Sequence, residues 1–522
     1  MAMKRRSFIK AAASTSLLSL LPGAGLFAES TKSTQRPNLL FLFADQHNAN
    51  VTGYAGNPNA YTPNLDRLAR SGTRFDRAYC NDGICKPSRN SIITGQYPRT
   101  FGVYDNSSFV ASILDRWTPM QKAFKQAGYY TFTTGKRHLF SKLDTDWDYS
   151  AGDLKTEMHD NLNYWTWIKD KGLLTEFMAD WDAEQGGPKK AAHFGCTTSK
   201  LPPWATMEAF AAENTIRFLK YPQAKKKPFF AWSTFYRPHQ PYTPLVEYAG
   251  KIDYGGLRLP ATLHQPVDEL PPLVKALRER KNRPWDLAFG DETSFRRYIG
   301  YYSALLREID HHIGSILDVL NEEGLAENTL IVYSSDHGDF VGGHGLIEKA
   351  AWAQCYYEET MRVPLIFHWP GRIRSGVVRD ELVQLVDLYP TIMELCSLPL
   401  PSSYTFPGKS LVPALQKPAP MSTAKYIVTE NWGQSTVISD DWKYGQWVNT
   451  PLHKYDERSF GNMLMQRSTD PGEVKNLISA PDAAQPLKQM QGYLAEWISK
   501  TDDSGRREFV ATKCQGTIYQ PI

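Results

Sequence analysis

Four stretches of the chain constrain its fold most: Leu39–Phe43, Phe229–Thr234, Thr329–Ser334 and Val363–Phe367 are largely apolar runs without polar–apolar alternation. A strand that is apolar on every residue has no face for water, so it belongs inside a sheet covered on both sides, the habit of parallel sheets. Helical segments separate these runs. Thr62-Pro63 caps a helix that carries Leu65 and Leu68 and stops at Gly72; a second follows Pro87 and stops at Gly95. Met120–Ala127 is helical with Gly128 as its stop, and Tyr129–Thr134 is a strand. Thr206–Leu219 is helical. The longest helix, about Phe295–Leu320, sets Ile299, Tyr302, Leu306, Ile309, Ile313 and Ile316 on one stripe. Strands alternating with helices define an α/β class: a large, mostly parallel sheet with helices on both faces.

From about residue 424 the texture changes. Tyr426–Thr429, Thr436–Ile438, Trp442–Trp447 and Met463–Arg467 read as short antiparallel strands, and about Asp482–Trp497 as a closing helix. The expected division is a leader over 1–28, a catalytic α/β domain over 35–423 and a small antiparallel-sheet subdomain over 424–522. Residues 144–205 are poorly periodic and are expected to form an insertion at the rim of a site. Its Trp165, Trp167 and Trp181 either stack on sugar faces or pack the rim.

Charge narrows the partners. The formal net charge is +4, and residues 1–28 hold four basic side chains (Lys4, Arg5, Arg6, Lys10) and no acidic one. Without that segment the chain is close to neutral, which argues against nucleic acid as a partner. The segment has a basic start, an apolar stretch Ala11–Leu21 and a small-residue exit near Ala28, the form of an export signal. Lys4-Arg5-Arg6-Ser7-Phe8-Ile9-Lys10 resembles a bacterial twin-arginine signal; a general secretory signal with a chance arginine pair is the other reading. Either places the mature chain in the periplasm or outside the cell. Nothing after residue 28 is apolar for long enough to span a membrane. Six widely spaced cysteines, Cys80, Cys85, Cys196, Cys355, Cys396 and Cys514, suggest neither a disulfide scaffold nor a zinc pair.

Chemistry-bearing residues stand where strands end, the place where open α/β sheets bind ligands. Asp45-Gln46 follow the first strand, Lys136-Arg137-His138 the second and Asp336-His337 the strand Thr329–Ser334. Two carboxylates and an amide oxygen make a hard site suited to Ca²⁺ or Mg²⁺, and the His337 nitrogen also tolerates Mn²⁺ or Zn²⁺. Cys85 precedes a helix N-terminus, where the dipole favours anionic oxygen, and Arg89 lies about one turn further on. His311-His312 carry no site logic, and Gly408-Lys409-Ser410 lacks the upstream glycine of a phosphate-binding loop.

The stretch Cys85-Lys86-Pro87-Ser88-Arg89, with Thr94-Gly95, resembles the sulfatase signature Cys-x-Pro-Ser-Arg-x-x-x-x-Thr-Gly at every fixed position. Other segments are similar in order: Pro37–Asp45, Thr62–Asp66, Gly135–His138, Pro238-His239-Gln240-Pro241, Ser335–Asp339 with Gly345, Lys349 and Arg362-Val363-Pro364, and Asp470-Pro471 with Glu473, Asn476 and Leu477. The resemblance spans about 37 to 480. It implies an alkaline-phosphatase-like fold and hydrolysis of a sulfate monoester to alcohol and inorganic sulfate. It also implies conversion of Cys85 by a formylglycine-generating maturation enzyme to 3-oxoalanine (formylglycine), whose hydrate has one hydroxyl to attack sulfur and a second to expel sulfate. One divalent cation, Ca²⁺ by resemblance, would be held by Asp45, Gln46, Asp336, His337 and the modified Cys85 side chain. Arg89 would hold the hydrate, and Lys136 and Lys349 would neutralise charge on the sulfuryl group. His239 would protonate the leaving oxygen, and His138 would contact the formylglycine.

The chain departs from the family pattern in three places: Gln46 where many members have Asp, Arg137 for the common Trp, and His337 where some have Asn. A sulfated saccharide is the expected substrate. Gly102–Asn106 is similar to choline-sulfatase-like and iduronate-sulfatase-like members, which keeps a sulfated small molecule (a choline or aryl sulfate) in view. A phosphonate or phosphodiester hydrolase on the same fold is a rival, as is a non-catalytic sugar-binding relative with unconverted Cys85.

Overall fold

Strand β1, Asn38–Asp45, is buried along its whole length, and its side chains divide between two cores. Leu39, Phe41 and Phe43 enter one core and Leu40, Leu42 and Ala44 the other. This is the two-sided covering that an unbroken apolar run demands. The computed structural model describes residues 36–502 and 504, apart from 103–105, 107–114, 153–162, 186–195, 272–273, 276–277, 279–291, 350–356, 419–423, 432–433, 448–461 and 503. The expected leader, Cys355, Cys514 and most of the Gly102–Asn106 stretch lie outside the described residues.

The further strands of the main domain are β2 (Thr73–Phe75), β3 (Ala78–Tyr79), β4 (Tyr130–Gly135), β5 (Tyr149–Ala151), β6 (Phe229–Pro238), β7 (Thr329–Ser335), β8 (Leu365–His368), β9 (Val377–Arg379) and β10 (Val383–Gln384). Eight of them form one sheet in the order β5-β4-β6-β1-β7-β8-β2-β9, and β10 pairs with β3. Every neighbour pair in the large sheet is parallel except those made by β8, which runs antiparallel to β7 and β2. One face carries α1 (Pro63–Ser71), and Met207–Lys220 and Glu292–Glu322, numbered α6 and α7 below. The other carries α2 (Cys85–Thr94), α3 (Met120–Gln126) and a helix Leu388–Leu395, numbered α8. The mostly parallel sheet and its two helical layers are as the apolar runs required.

Three local readings change. Thr62 does not cap α1 with its side chain. Asp310 of α7 does so instead, accepting the backbone N–H groups of Asn64 at 3.1 Å and Leu65 at 2.8 Å. A cap borrowed from another helix leaves no mark in the local sequence. Strand β6 continues four residues beyond the expected Thr234 to Pro238. Residues 144–205 are in part integral to the sheet, since β5 extends it beyond β4. They also form α4 (Tyr164–Asp170) and α5 (Leu174–Gln185), which share a satellite core with Phe210 of α6. Trp167 and Trp181 pack against that core, so packing is what the structure shows for them, while Trp165 is 40% exposed.

The C-terminal sheet is β11 (Ile427–Asn431), β12 (Gln434–Ile438), β13 (Trp442–Trp447) and β14 (Met463–Gln466), antiparallel in that order. Ile427 and Ile438 join the main core, and their neighbours Val428 and Val437 pack with Leu494 and Trp497 of α9 (Ala484–Lys500). No helix among the described residues is long and apolar enough to cross a membrane. Cys80, Cys85, Cys196 and Cys396 are all buried.

Candidate active site

The strand ends converge as their order in the sheet dictates, because β4, β6, β1 and β7 are consecutive and parallel. Two devices turn their side chains inward. Gly135 ends β4 at φ 77°, and a Cβ there would lie 1.7 Å from the Thr234 carbonyl oxygen, so only glycine lets β4 close on β6 before Lys136. Between β1 and β6 the register jumps: Ala44 faces Phe235 but Asp45 faces Pro238. The extra residues Tyr236 and Arg237 form a bulge that re-aims the strand end towards His239.

Cys85 is the first residue of α2, behind an extended Ile84 with no side-chain cap. The turn before it is fixed by Asp82, which accepts the Ile84 N–H at 2.8 Å, and α2 is tied to β7 by Ser88, whose hydroxyl donates to the Asp336 carbonyl at 2.6 Å. Within the first turn Asn106 accepts the Lys86 N–H at 3.1 Å, and Cys85 stands at the positive end of the helix dipole. The Cys85 sulfur lies 3.2 Å from His337 Nε2, 3.7 Å from Asp45 Oδ1 and 3.7 Å from Lys136 Nζ. Burial and Asp45 push its thiol up, yet Lys136, Lys349 and His337 outweigh them and the net shift is downward.

Arg89, one turn along α2, is completely buried and ties the two carboxylates together. Its Nη2 meets Asp45 Oδ2 at 2.8 Å and its Nε meets Asp336 Oδ2 at 2.7 Å. Lys136 Nζ adds a contact to Asp45 Oδ2 at 2.6 Å. Burial and Asp336 raise the Asp45 carboxyl, but Lys136, His239 and Arg89 prevail and hold it at about 2. Asp336 is buried too, and Arg89, His337 and Lys136 drive its carboxyl far below the usual range.

With both Oδ2 atoms engaged, the Oδ1 atoms are left facing His337. His337 Nε2 stands 3.9 Å from Asp45 Oδ1 and 3.8 Å from Asp336 Oδ1. Donor atoms each about 2.3–2.6 Å from one ion lie roughly 3.3–5.2 Å apart, so these separations suit a shared cation. His337 Nδ1 donates to the Gly338 carbonyl at 2.9 Å, which leaves Nε2 as the lone-pair nitrogen a metal needs. Asp45, Cys85, Asp336 and His337 all bring one donor atom within 4.8 Å of the others. Gln46, the remaining expected ligand, adjoins this set. Its backbone N–H donates to Asp336 Oδ1 at 3.0 Å, while its side-chain oxygen accepts Lys349 Nζ at 3.0 Å.

Lys349 Nζ also approaches His239 Nε2 at 3.4 Å, and His239 Nδ1 donates to the Gln240 carbonyl at 2.7 Å. The Tyr236 ring lies 5.1 Å from the His239 ring and 4.6 Å from Lys136 Nζ, with Trp181 6.0 Å behind it. His138 is buried at the β4 end with φ 51°. Arg137 is buried as well, its Nε 2.9 Å from Asp144 Oδ1, so the departure from Trp is absorbed by an internal ion pair.

The sequence reading missed the layer behind Gln46. Its Nε2 donates to Asp339 Oδ2 at 2.7 Å and lies 3.2 Å from Gln240 Oε1, and its carbonyl accepts the Tyr302 hydroxyl at 2.7 Å. Asp339 also accepts the hydroxyls of Tyr242, at 3.0 Å, and Tyr298. Tyr302 also belongs to the core stripe of α7. The recurrence of Tyr298 and Tyr302 four residues apart was the available cue that this stripe carries hydroxyls into the site.

The sulfatase family profile matches residues 37–398, and that of the N-sulphoglucosamine sulphohydrolase C-terminal region matches 342–500. The N-acetylglucosamine-6-O-sulfatase of Bacteroides thetaiotaomicron is 26% identical over 97% of this chain and 95% of its own length. The Delta 4,5-hexuronate-2-O-sulfatase of the same organism is 24% identical over 93% of each. Among solved structures, the phosphonate monoester hydrolase of Agrobacterium radiobacter superposes with a TM-score of 0.72 at 20% identity, covering 91% of this chain and 96% of that one. A structure in complex with its substrate D-glucosamine-2-N,6-O-disulfate gives 0.69 at 23% identity, covering 90% and 100%. The fold is thus the alkaline-phosphatase-like one shared by sulfatases and phosphonate monoester hydrolases. The chain belongs to the sulfatase family and is a sulfuric ester hydrolase.

Proposed function

We propose that this protein removes sulfate from a sulfated carbohydrate outside the cytoplasm, after twin-arginine export. The nucleophile would be Cys85 after its conversion to formylglycine by a maturation enzyme. The observation that carries this reading is the place of Cys85: first in α2 and buried, with Asp45, Lys136 and His337 each within 3.7 Å of its sulfur. The saccharide substrate is supported by the relatives named for N-acetylglucosamine-6-O-sulfate and hexuronate-2-O-sulfate.

Converted to formylglycine and hydrated, Cys85 would supply one hydroxyl to bond sulfur as the bond from sulfur to the alcohol oxygen breaks, and a second whose deprotonation would reform the aldehyde and release sulfate. Asp45, Asp336 and His337 would hold a hard divalent cation, Ca²⁺, which would lower the hydrate's pKa and polarise the sulfate oxygens. Arg89 fixes the two carboxylates so that their Oδ1 atoms face inward. Lys136 and Lys349 balance charge on the sulfuryl oxygens. Lys349 donates a proton towards His239 Nε2, and this pair holds a proton where the leaving alcohol oxygen needs one.

The test is the mass of the tryptic peptide Ala78–Arg89 from protein made in a bacterial host with the maturation enzyme. It is read beside sulfate release from sulfated monosaccharides, a choline or aryl sulfate, a phosphonate monoester and a phosphodiester. Aldehyde mass at position 85 with fastest turnover of a sulfated sugar is expected. An unmodified thiol in active protein, or faster phosphonate hydrolysis, overturns the proposal.

A further inference from the structure

Arg237 belongs to the bulge of β6, two residues before His239, and its side chain is buried. The guanidinium turns forward onto the loop that follows it. Nη1 donates to the carbonyls of His239, at 3.1 Å, and Pro241, and Nη2 donates to the Thr243 hydroxyl at 2.8 Å. Its own backbone is anchored from behind: the Arg237 N–H donates at 3.0 Å to Glu208 Oε1, on the first turn of α6. A buried cation is costly to desolvate and has to be satisfied by acceptors. Here the acceptors are two carbonyls and a hydroxyl of one loop, residues 239–243. The contacts of the His239 ring do not place that loop. Nδ1 meets the carbonyl of the next residue, Gln240, and so moves with the loop, and Nε2 meets the end of the long Lys349 side chain.

We propose that Arg237 is a positioning residue of the active site: by holding the carbonyls of His239 and Pro241 it fixes where the His239 imidazole stands. The inference rests on the reading that His239 and Lys349 hold a proton beside the leaving alcohol oxygen. A rigid fork suits this task, because one planar group spans three acceptors, which the single ammonium of a lysine does not reproduce. The consequence is selective. As the bond from sulfur to the leaving oxygen breaks, the proton held by the pair passes to that oxygen, which departs as the alcohol. A sugar alcohol, strongly basic as its alkoxide, needs that proton; a phenolate carrying an electron-withdrawing group leaves without it. A displaced His239 therefore slows a sugar sulfate far more than an activated aryl sulfate.

The test uses Arg237→Lys, Arg237→Met and Thr243→Val in the full chain, with His239→Ala alone and combined with Arg237→Lys. Asp180, Glu208 and Glu308 border the cavity beside Arg237, so the charge-removing Arg237→Met carries the greatest risk of misfolding; the other two variants keep the test decisive. Three readouts are taken: melting temperature, kcat/KM for a sulfated monosaccharide and for nitrophenyl sulfate, and hydrogen exchange of the backbone amides within 239–243. Arg237→Lys is expected to lose about 10²-fold on the sugar sulfate, the scale of an ångström's misplacement, and less than about threefold on nitrophenyl sulfate. Thr243→Val, which removes one contact, is expected to shift the ratio the same way by less. In both variants the loop amides exchange faster. In the His239→Ala background Arg237→Lys is expected to cost less than about threefold more, because the residue it acts through is gone. Equal losses on the two substrates in the Arg237 variants, losses that multiply in the double variant, or unchanged exchange overturn the proposal. Equal losses in His239→Ala itself would sink the proton role of His239 and leave the exchange arm to decide the positioning. That arm does not rest on the sulfatase reading, so faster exchange in the variants beside a wild type without sulfatase activity would sink that reading alone.

Discussion

Replacing Arg89 with methionine keeps much of the side chain's length and removes its charge, and the structure says what should follow. Arg89 is completely buried and is the shared partner of Asp45 and Asp336, at 2.8 and 2.7 Å. Removing one member of a buried ionic cluster leaves its partners uncompensated and costs about 3–5 kcal/mol. Unfolding entropy of about 2.1 cal/mol/K per residue over 522 residues is roughly 1.1 kcal/mol/K, so the melting temperature should fall by roughly 3–5 °C at pH 7 in chelator. The pH dependence has a fixed sign. Arg89 helps hold Asp45 at about 2 and Asp336 lower still. Carboxyls depressed in the folded state contribute stability that is present above their unfolded range near 4 and lost as pH falls towards 2. In Arg89→Met both carboxyls rise. The gap between wild type and variant should therefore be widest at neutral pH and narrow steadily towards pH 3. Scanning calorimetry across that range is the assay. A gap below one degree at pH 7, or one that does not change with pH, refutes the reasoning.

Three further outcomes are expected. Adding Ca²⁺ at about a hundred times its Kd to chelated protein should restore about 2.7 kcal/mol, or roughly 2–3 °C, by mass action; no response to Ca²⁺, Mg²⁺, Mn²⁺ or Zn²⁺ in thermal melts would remove the cation from the site. Lys349→Ala, which takes away the contacts to Gln46 and His239, should lower kcat/KM by about 10²–10³ while the fold persists; a loss below threefold in steady-state kinetics would count against its role. Gly135→Ala forces a Cβ against the Thr234 carbonyl at positive φ and should cost soluble yield and well over about 1 kcal/mol; a variant that expresses and melts as wild type would show that the close approach is not obligatory.

What was legible in the sequence divides along a physical line. The strands β1, β6 and β7 could be read because burial on both faces leaves an unbroken apolar run, and the residues after them could be read because strand ends are where sites form. Asp45, Asp336 and His337 come together at those strand ends, and Cys85 meets them from the start of α2. Strands β2, β5 and β9, three residues each, were not legible, since three residues carry no period and pair only because a neighbour offers an edge. The cap on α1 was misassigned because Asp310 lies some 245 residues away from the N–H groups it accepts. The layer behind Gln46 was hidden for a related reason: Tyr298 and Tyr302 read as apolar by position, and only the fold shows their hydroxyls meeting Asp339 and the Gln46 carbonyl.

The division of β1 between two cores works as a ruler. Its aromatic set, Phe41 and Phe43, fits one face and its slimmer set, Leu40, Leu42 and Ala44, fits the other. A slip of one residue would exchange the two sets, driving phenylalanines into space shaped for leucine and alanine and leaving voids opposite. The same slip would carry Asp45 about 3.3 Å along the strand, beyond the reach of Arg89, Lys136 and Cys85 together. A chain that packs its interior correctly has thereby already measured out the height of its own carboxylate, and a misregistered one is rejected by its core long before it could present a false site.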